Sequence, residues 1–297
     1  MWSTLDLASL PAIAWAARRA QKESLDISQE NRKVPLMGVM GAFVFAAQMI
    51  NFPIPLGTSA HLVGGALMTI VLGPAAASVV MTAILVIQAF VFQDGGVMAL
   101  GANVINMALI GILAGYIPYR LWRSHWRSAA IFLAGMLSVL VAGCFALSEL
   151  ALSGVPMPAR LIAISLGLFL AAACMEGAIT LAAVRAIERL QPAAASGPES
   201  QPAGSRVIGA IAVAAVLLAA FGILWASVAP ENLEHVAAQF GITAHAPVWM
   251  HAPLADYEWQ GSASLWFRRA SAGLAGLALI YGICALTGKL LTRQRSA

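Results

Sequence analysis

Charged residues are scarce in this sequence. Asp, Glu, Lys and Arg make up 10% of its 297 residues, whereas 60% are hydrophobic. A water-soluble domain of this size could not bury so much apolar side chain in one core. Together with a mean hydropathy of +0.83, this composition excludes a soluble enzyme and predicts a polytopic membrane protein whose helices contact lipid.

The sequence also lacks several motifs that are typical of metal-binding, nucleotide-hydrolysing and catalytic sites. Cys144, Cys174 and Cys284 form neither a CxxC pair nor a disulfide framework. No GxxxxGK[ST] loop is present, so ATP hydrolysis would have to come from partner subunits. No nucleophile and base occur together in the apolar segments, which argues against an intramembrane enzyme. The net charge of +4 is dispersed along the chain, so we expect no nucleic-acid partner.

Long apolar runs predict the membrane helices. Gly, Pro and Asp turns divide them into segments 34–52, 61–73, 75–92, 98–118, 128–150, 160–187, 206–228 and 268–290. The predicted fold class is all-α: a helical bundle of about six to seven membrane helices plus a C-terminal two-helix hairpin with an extracytoplasmic loop. The Ala-, Pro- and Ser-rich stretch 191–205 predicts a flexible cytoplasmic linker between a membrane domain, residues 1–190, and a second module, residues 206–297.

The distribution of basic residues predicts the orientation. All but Arg160, Arg268 and Arg269 of the 17 Lys and Arg fall in loops or termini that alternate spans place on one side. Because short cytoplasmic loops accumulate Lys and Arg, that side is predicted to be the cytoplasm, and it includes the C-terminus. We therefore expect a multi-pass protein of the cell inner membrane.

Segment 61–73 is too short to cross the membrane. As a helix its 13 residues would span only about 20 Å, against about 30 Å of hydrocarbon. One end must therefore lie below the surface, where its backbone groups need a polar cavity. This predicts an outward-facing pocket with His61 at the N-terminus of the short helix, where Thr58 and Ser59 either cap the helix or face the pocket.

A set of short motifs resembles the CbiM/NikM family, the substrate-capture subunits of energy-coupling-factor cobalt and nickel transporters. The motifs are Val34–Val39, Phe45–Pro53, Gly57–Leu67, Leu72–Pro74, Ile87–Ala89, Asp94–Gly96, Leu100–Met107 and Glu176–Thr180. Residues 229–234 and 252–257 resemble the PDGLE module of the small partner subunit (CbiN/NikN), here joined in one chain.

The resemblance implies import of Ni²⁺ or Co²⁺ as substrate, with no resident cofactor. It implies a transmembrane coupling subunit similar to CbiQ/NikQ and cytoplasmic ATPases similar to CbiO/NikO as partners. It also implies metal ligation by the His of the GTSxHL motif, here His61, and by an N-terminal Met-His pair, whereas this sequence reads Met1-Trp2-Ser3. We therefore expect a truncated or misassigned start or a divergent member of the family. The alternative function is that such a divergent or N-terminally truncated member assists assembly or regulation without binding metal.

His61 is the predicted metal ligand, because imidazole nitrogen suits both Ni²⁺ and Co²⁺. Groups predicted to orient its ring are Gln48, Asn51, Ser59, Asp94, Asn103 and Asn106. Thr58 and Ser59 fit helix capping equally well, and Asn103 and Asn106 fit hydrogen bonding between helices. Glu176, an acid inside a long apolar run, suggests either helix packing or a role in coupling or substrate binding. His245, Met250 and His251 in the outer loop either relay metal to the site or are exposed loop residues without a role, and the ligands named here suit nickel and cobalt alike.

Overall fold

The computed structural model describes residues 2–24, 30–190, 204–224, 226–227, 252–259 and 264–293. These parts contain nine helices and one two-stranded antiparallel hairpin. The helices are α1 Trp2–Ser24, α2 Glu30–Gln48, α3 Gly65–Leu72, α4 Pro74–Phe92, α5 Val97–Trp122, α6 Arg127–Leu152, α7 Ala159–Leu190, α8 Ser205–Phe221 and α9 Leu265–Arg293. The strands are β1 Asn51–Ile54 and β2 Thr58–His61.

The predicted membrane bundle is confirmed in its main features. Five helices are long and apolar enough to cross a bilayer: α4, α5, α6, α7 and α9. Shorter apolar helices cover residues 34–48 of α2 and the whole of α8. The breaks fall at the predicted turns, since Gly73 separates α3 from α4 with a φ of +85° and Gly95 and Gly96 lie between α4 and α5. The chain is therefore a multi-pass membrane protein.

The segment before α3 differs from the predicted helix 61–73, although the fold is otherwise all-helical. Residues 61–64 are not helical: β2 pairs with β1 and ends at His61, and α3 begins only at Gly65. The tip of the hairpin, between Pro53 and Ser59, includes Leu56 at a φ of +65°, and Gly64 adopts a φ of +75° before the helix starts. Thr58 and Ser59 therefore lie in a strand and do not cap a helix. At eight residues, α3 is about 12 Å long and even shorter than predicted.

The two helices after the linker region pack on the rest of the chain. Both α8 and α9 contact α2, and they contact each other. The interface includes close contacts: a methyl group on Gly38 of α2 would lie 2.8 Å from the Tyr281 ring of α9. Residues 191–203 of the predicted linker, the motif 229–234 and the trio His245, Met250 and His251 lie outside the described residues. The domain boundary stays a prediction.

Helices α6 and α7 cross at two glycines. A Cβ atom on Gly135 would lie 2.8 Å from the Gly177 Cα, and one on Gly177 would lie 2.6 Å from the carbonyl oxygen of Phe132. The backbones therefore touch, as small residues allow between membrane helices. The Arg127–Glu188 ion pair, at 2.7 Å, and a hydrogen bond from Arg185 to the Ser128 hydroxyl hold the start of α6 against the end of α7.

Replacing Gly177 with alanine is expected to force these helices apart and to destabilise the protein by about 1–3 kcal/mol, the usual cost of overpacking. Gly167 on the same helix is the matched control, because a Cβ atom there meets nothing within 4 Å. Alanine at that position removes the conformational cost of glycine and should stabilise by up to about 1 kcal/mol. Denaturant unfolding of both variants in micelles measures the difference, and equal stabilities would contradict the proposed contact.

Candidate metal site

His61 lies where the hairpin turns toward α3. It is the last residue of β2 and pairs with Asn51 across the hairpin. Its side chain is half-buried, and its Nδ1 lies 3.0 Å from the carbonyl oxygen of Leu62. When Nδ1 carries the proton and donates it to that oxygen, Nε2 carries the lone pair, which is the form of imidazole that binds a metal ion.

Glu176 of α7 holds the loop that follows His61. Its Oε2 accepts a hydrogen bond from the Val63 N–H and its Oε1 one from the Gly64 N–H, both at 2.8 Å. The side chain is 98% buried. Because these two N–H groups belong to neither a strand nor a helix ladder, the carboxyl group supplies the partners that the backbone lacks.

This contact fixes the depth of the loop. Glu176 lies near the middle of α7, about 25 Å along the axis from Ala159 and about 20 Å from Leu190. A helix of that length extends past the hydrocarbon at both ends, so its midpoint lies at membrane depth. Non-helical backbone at that depth occurs only where it is buried in protein or lines a cavity. The loop therefore needs the protein around it, and it lines a pocket.

A small pocket forms at this point. Its polar lining side chains are His61 and Glu176, and the others are apolar: Phe52, Ala60, Leu62, Ala172, Met175 and Ile179. The imidazole and the carboxyl group thus face the same space, although they are 115 positions apart in the sequence. The pocket is less polar than the sequence predicts, because none of the six candidate orienting residues lines it.

Three of those candidates lie in the hairpin or contact the loop that follows it. The Gln48 Nε2 donates a hydrogen bond of 2.8 Å to the carbonyl oxygen of Val63, so this side chain supports the loop from the α2 side. Asn51 is the strand partner of His61, and its carbonyl oxygen accepts from the Ser227 N–H at 2.7 Å. Ser59 lies in β2 and is 99% buried.

The other three candidates make contacts elsewhere. Asp94 accepts a hydrogen bond from the Tyr257 hydroxyl. The Asn103 amide donates to the Gly95 carbonyl oxygen at 3.2 Å and so closes the turn before α5. The Asn106 amide donates to Glu149 on α6 at 2.8 Å, which is the helix-to-helix hydrogen bond that the sequence allows for it. None of the three lines the His61 pocket, and a role for them in orienting the ring stays a prediction.

Sequence reasoning did not pair Glu176 with His61. Its isolation in an apolar run marked it as unusual, but nothing local indicates that it binds the backbone two residues beyond His61. Within the described residues, no group of three His, Cys, Asp or Glu side chains could hold a metal ion. The pocket can therefore offer one imidazole nitrogen and one carboxyl group, which is part of a coordination sphere.

The fold and this site define a polytopic membrane protein with non-helical backbone at membrane depth, which is typical of channels and transporters. The chain belongs to the CbiM family, described as the cobalt uptake substrate-specific transmembrane region, whose model matches residues 1–194. The resemblance is confirmed, and the chain is a transport protein and not an enzyme.

Similar proteins and a solved structure support the assignment to this family. A fused nickel transport protein of Lactiplantibacillus plantarum is 31% identical over 252 residues, 77% of this chain and 76% of that protein. A fused nickel transport protein of Archaeoglobus fulgidus is 52% identical over 118 residues, but the alignment spans only 40% of each chain. A crystal structure of a truncated transition metal transporter superposes with a TM-score of 0.54 at 31% identity, covering 63% of this chain and 93% of the other.

Proposed function

We propose that this chain captures Ni²⁺ or Co²⁺ at the His61 pocket and presents the ion to an ATP-driven energy-coupling-factor importer. The single observation that carries the proposal is the placement of an imidazole and a carboxyl group in one pocket at membrane depth. Ionisable side chains are costly there and persist where an ion path needs them. Imidazole nitrogen is a ligand that both ions accept, and a carboxylate would offset the charge of a bound cation.

One imidazole does not complete the coordination sphere. The remaining donors in this proposal are backbone or N-terminal nitrogens, of the kind that the family resemblance implies and that suit Ni²⁺ in a square-planar arrangement. The apolar walls from Phe52, Met175 and Ile179 would keep water from competing for the ion. The fused nickel transport relatives support nickel as a substrate and a fused PDGLE-like module after residue 205.

The basic residues at the helix ends support an orientation of the chain in the membrane and a face for its partner subunits. The Arg127–Glu188 ion pair brings the basic start of α6 beside the basic end of α7, where Arg185 also pairs with Glu188. We place that face, together with the C-terminal end of α9, in the cytoplasm. A transmembrane coupling subunit and cytoplasmic ATPases would contact the chain there, and the hairpin would open to the other side of the cell inner membrane.

Uptake in cells tests the proposal. The chain is expressed with the coupling and ATPase subunits of its own genome in a host without nickel or cobalt uptake, and accumulation of the radioactive ions is measured. We expect accumulation that requires both the chain and ATPase activity. A chain that reaches the membrane without supporting uptake would contradict the proposal. Uptake that persists unchanged in His61→Ala would support an assembly or regulatory subunit instead.

A further inference from the structure

The segment Ala252–Trp259 before α9 docks on the end of α4. The Leu254 N–H donates to the Val91 carbonyl oxygen at 3.0 Å, and the Ala252 N–H donates to the Gln93 side chain at 3.3 Å. The Tyr257 ring stacks on Phe92 with the centroids 4.7 Å apart. A part of the chain that follows α8 is therefore held against the first half of the bundle.

A continuous series of side-chain hydrogen bonds runs inward from this docked segment. The Tyr257 hydroxyl donates to Asp94 and accepts from the Gln88 Nε2 at 3.2 Å. The same Gln88 amide donates to the Gln48 Oε1 at 3.0 Å, and the Gln48 Nε2 donates to the Val63 carbonyl oxygen at 2.8 Å. The series therefore ends on the backbone two residues after His61.

Each amide in the series fits in only one orientation. Reversing Gln48 would place its oxygen against the Val63 carbonyl oxygen, and reversing Gln88 would place its oxygen against the Gln48 oxygen. Gln48 and Gln88 are 4% and 6% exposed, so neither finds water readily as a substitute. Removing one member leaves a buried polar group without its partner, which affects its neighbours as well.

The docked conformation depends on these contacts. Asp256 and Tyr257 both have φ near +57°, in the left-handed region that non-glycine residues seldom adopt. Such a backbone persists only when surrounding contacts determine it. The Tyr257 hydroxyl, with its bonds to Asp94 and Gln88, is one such contact, and the ring stacked on Phe92 is another.

The loop after His61 is thus held from two sides. Glu176 on α7 accepts from the Val63 N–H, and Gln48 on α2 donates to the Val63 carbonyl oxygen. The α7 contact belongs to the pocket already described. The α2 contact is the inner end of the series that begins at Tyr257, so the order of the loop depends on a residue that lies just before α9.

We propose that Gln48 and Gln88 are positioning residues that couple docking of Tyr257 to the order of the His61 loop. When Tyr257 leaves its docked position on α4, Gln88 loses a hydrogen-bond partner and its amide is free to turn away from Gln48. The hydrogen bond from Gln48 to the Val63 carbonyl oxygen is then less well supported. Docking of segment 252–259 would therefore favour the loop conformation that places His61 in the pocket. The effect on metal affinity rests on the proposed function, whereas the coupling between segment and loop does not.

Hydrogen exchange of the full-length protein in nanodiscs, without metal, tests the coupling. Tyr257→Phe keeps the ring and removes the hydroxyl, and Gln88→Leu breaks the series one step further in. Each is expected to raise exchange of the 61–64 amides by about 2- to 12-fold, the factor for one net hydrogen bond. The double variant should exceed neither single variant, because both break the same series. Tyr116→Phe is the matched control, since its hydroxyl contacts Arg120 on the exposed side of α5.

Two outcomes would overturn the coupling. One is a rise in exchange at 252–259 with no change at 61–64 in either variant. The other is an equal rise at 61–64 in Tyr116→Phe. Ni²⁺ affinity, measured on the same samples, is expected to fall by a similar factor. If the wild-type chain binds neither Ni²⁺ nor Co²⁺, the proposed function fails while the exchange comparison still decides the coupling.

Discussion

The variant His61→Ala is expected to bind Ni²⁺ and Co²⁺ more than about 100-fold more weakly than the wild-type chain, since loss of a group that merely orients a ligand already costs 10- to 100-fold. His61 supplies the imidazole among the described residues that line the pocket. Its side chain is half-buried at the end of β2, where alanine is tolerated, so the fold should survive. A selective loss of affinity would then report ligation and not unfolding.

Equilibrium dialysis of the protein in nanodiscs, followed by elemental analysis, gives both affinities. His125→Ala is the matched control, because His125 lies exposed in the turn between α5 and α6 beside Ser124. We expect this variant to bind as the wild type does. The proposal of a His61 site would be abandoned if His61→Ala and His125→Ala bound the ions equally well, provided that both gave the same unfolding transition.

The membrane helices could be read from the sequence because lipid imposes a simple rule. A span must be about 20 apolar residues long and must end where polar or turn-forming residues begin. Arg127 marks the start of α6, and Gly73-Pro74 separates α3 from α4. These signals are local, so no knowledge of the partner helices is needed. The Gly135–Gly177 crossing could not be predicted in the same way, because a glycine in an apolar run does not reveal which helix it will contact.

The prediction that a helix starts at residue 61 was wrong, because His61 ends strand β2 and α3 begins at Gly65. The run that follows His61 is apolar except for Thr69, and such a run without periodicity does not show where a helix begins. Strand β2 forms because β1, three residues before it in the chain, is available as a partner, with Asn51 opposite His61 and Ile54 opposite Thr58. The positive φ of Gly64 then delays the helix to Gly65. Pairing between segments decided the structure, and propensity within one segment did not.

Only part of the candidate site could be predicted from the sequence. His61 was found because it stands in a motif, and Gln48 because it lies close to that motif in the chain. Asp94, Asn103 and Asn106 share the same half of the sequence, yet their hydrogen bonds lead to Tyr257, Gly95 and Glu149. Proximity in the chain is a weak guide in a bundle, since a helix carries successive polar residues to different neighbours. The contact of Glu176 with the loop joins residues 112 and 113 positions apart, and only the fold shows it.

Removal of the Glu176 carboxyl group is expected to have the second large effect. In Glu176→Ala the N–H groups of Val63 and Gly64 lose their shared acceptor at a site that is almost fully buried. Each unsatisfied buried donor costs about 1–3 kcal/mol, so a loss of roughly 2–6 kcal/mol of stability is expected where water does not enter the pocket. The loop that follows His61 also loses its anchor on α7, which should weaken metal binding by about 10- to 100-fold.

The variant Glu176→Gln separates the effect on stability from the effect on metal affinity. The glutamine oxygen can still accept from one N–H group, but its amide then faces the other donor, so about half of the stability loss should remain. Its neutral side chain cannot offset the charge of a bound cation, and metal affinity should therefore fall nearly as far as in Glu176→Ala. Denaturant unfolding and equilibrium dialysis on the same samples measure the two quantities. If the glutamine variant retained wild-type affinity, the carboxyl group would act only by holding the loop, and its charge would have no part in binding the ion.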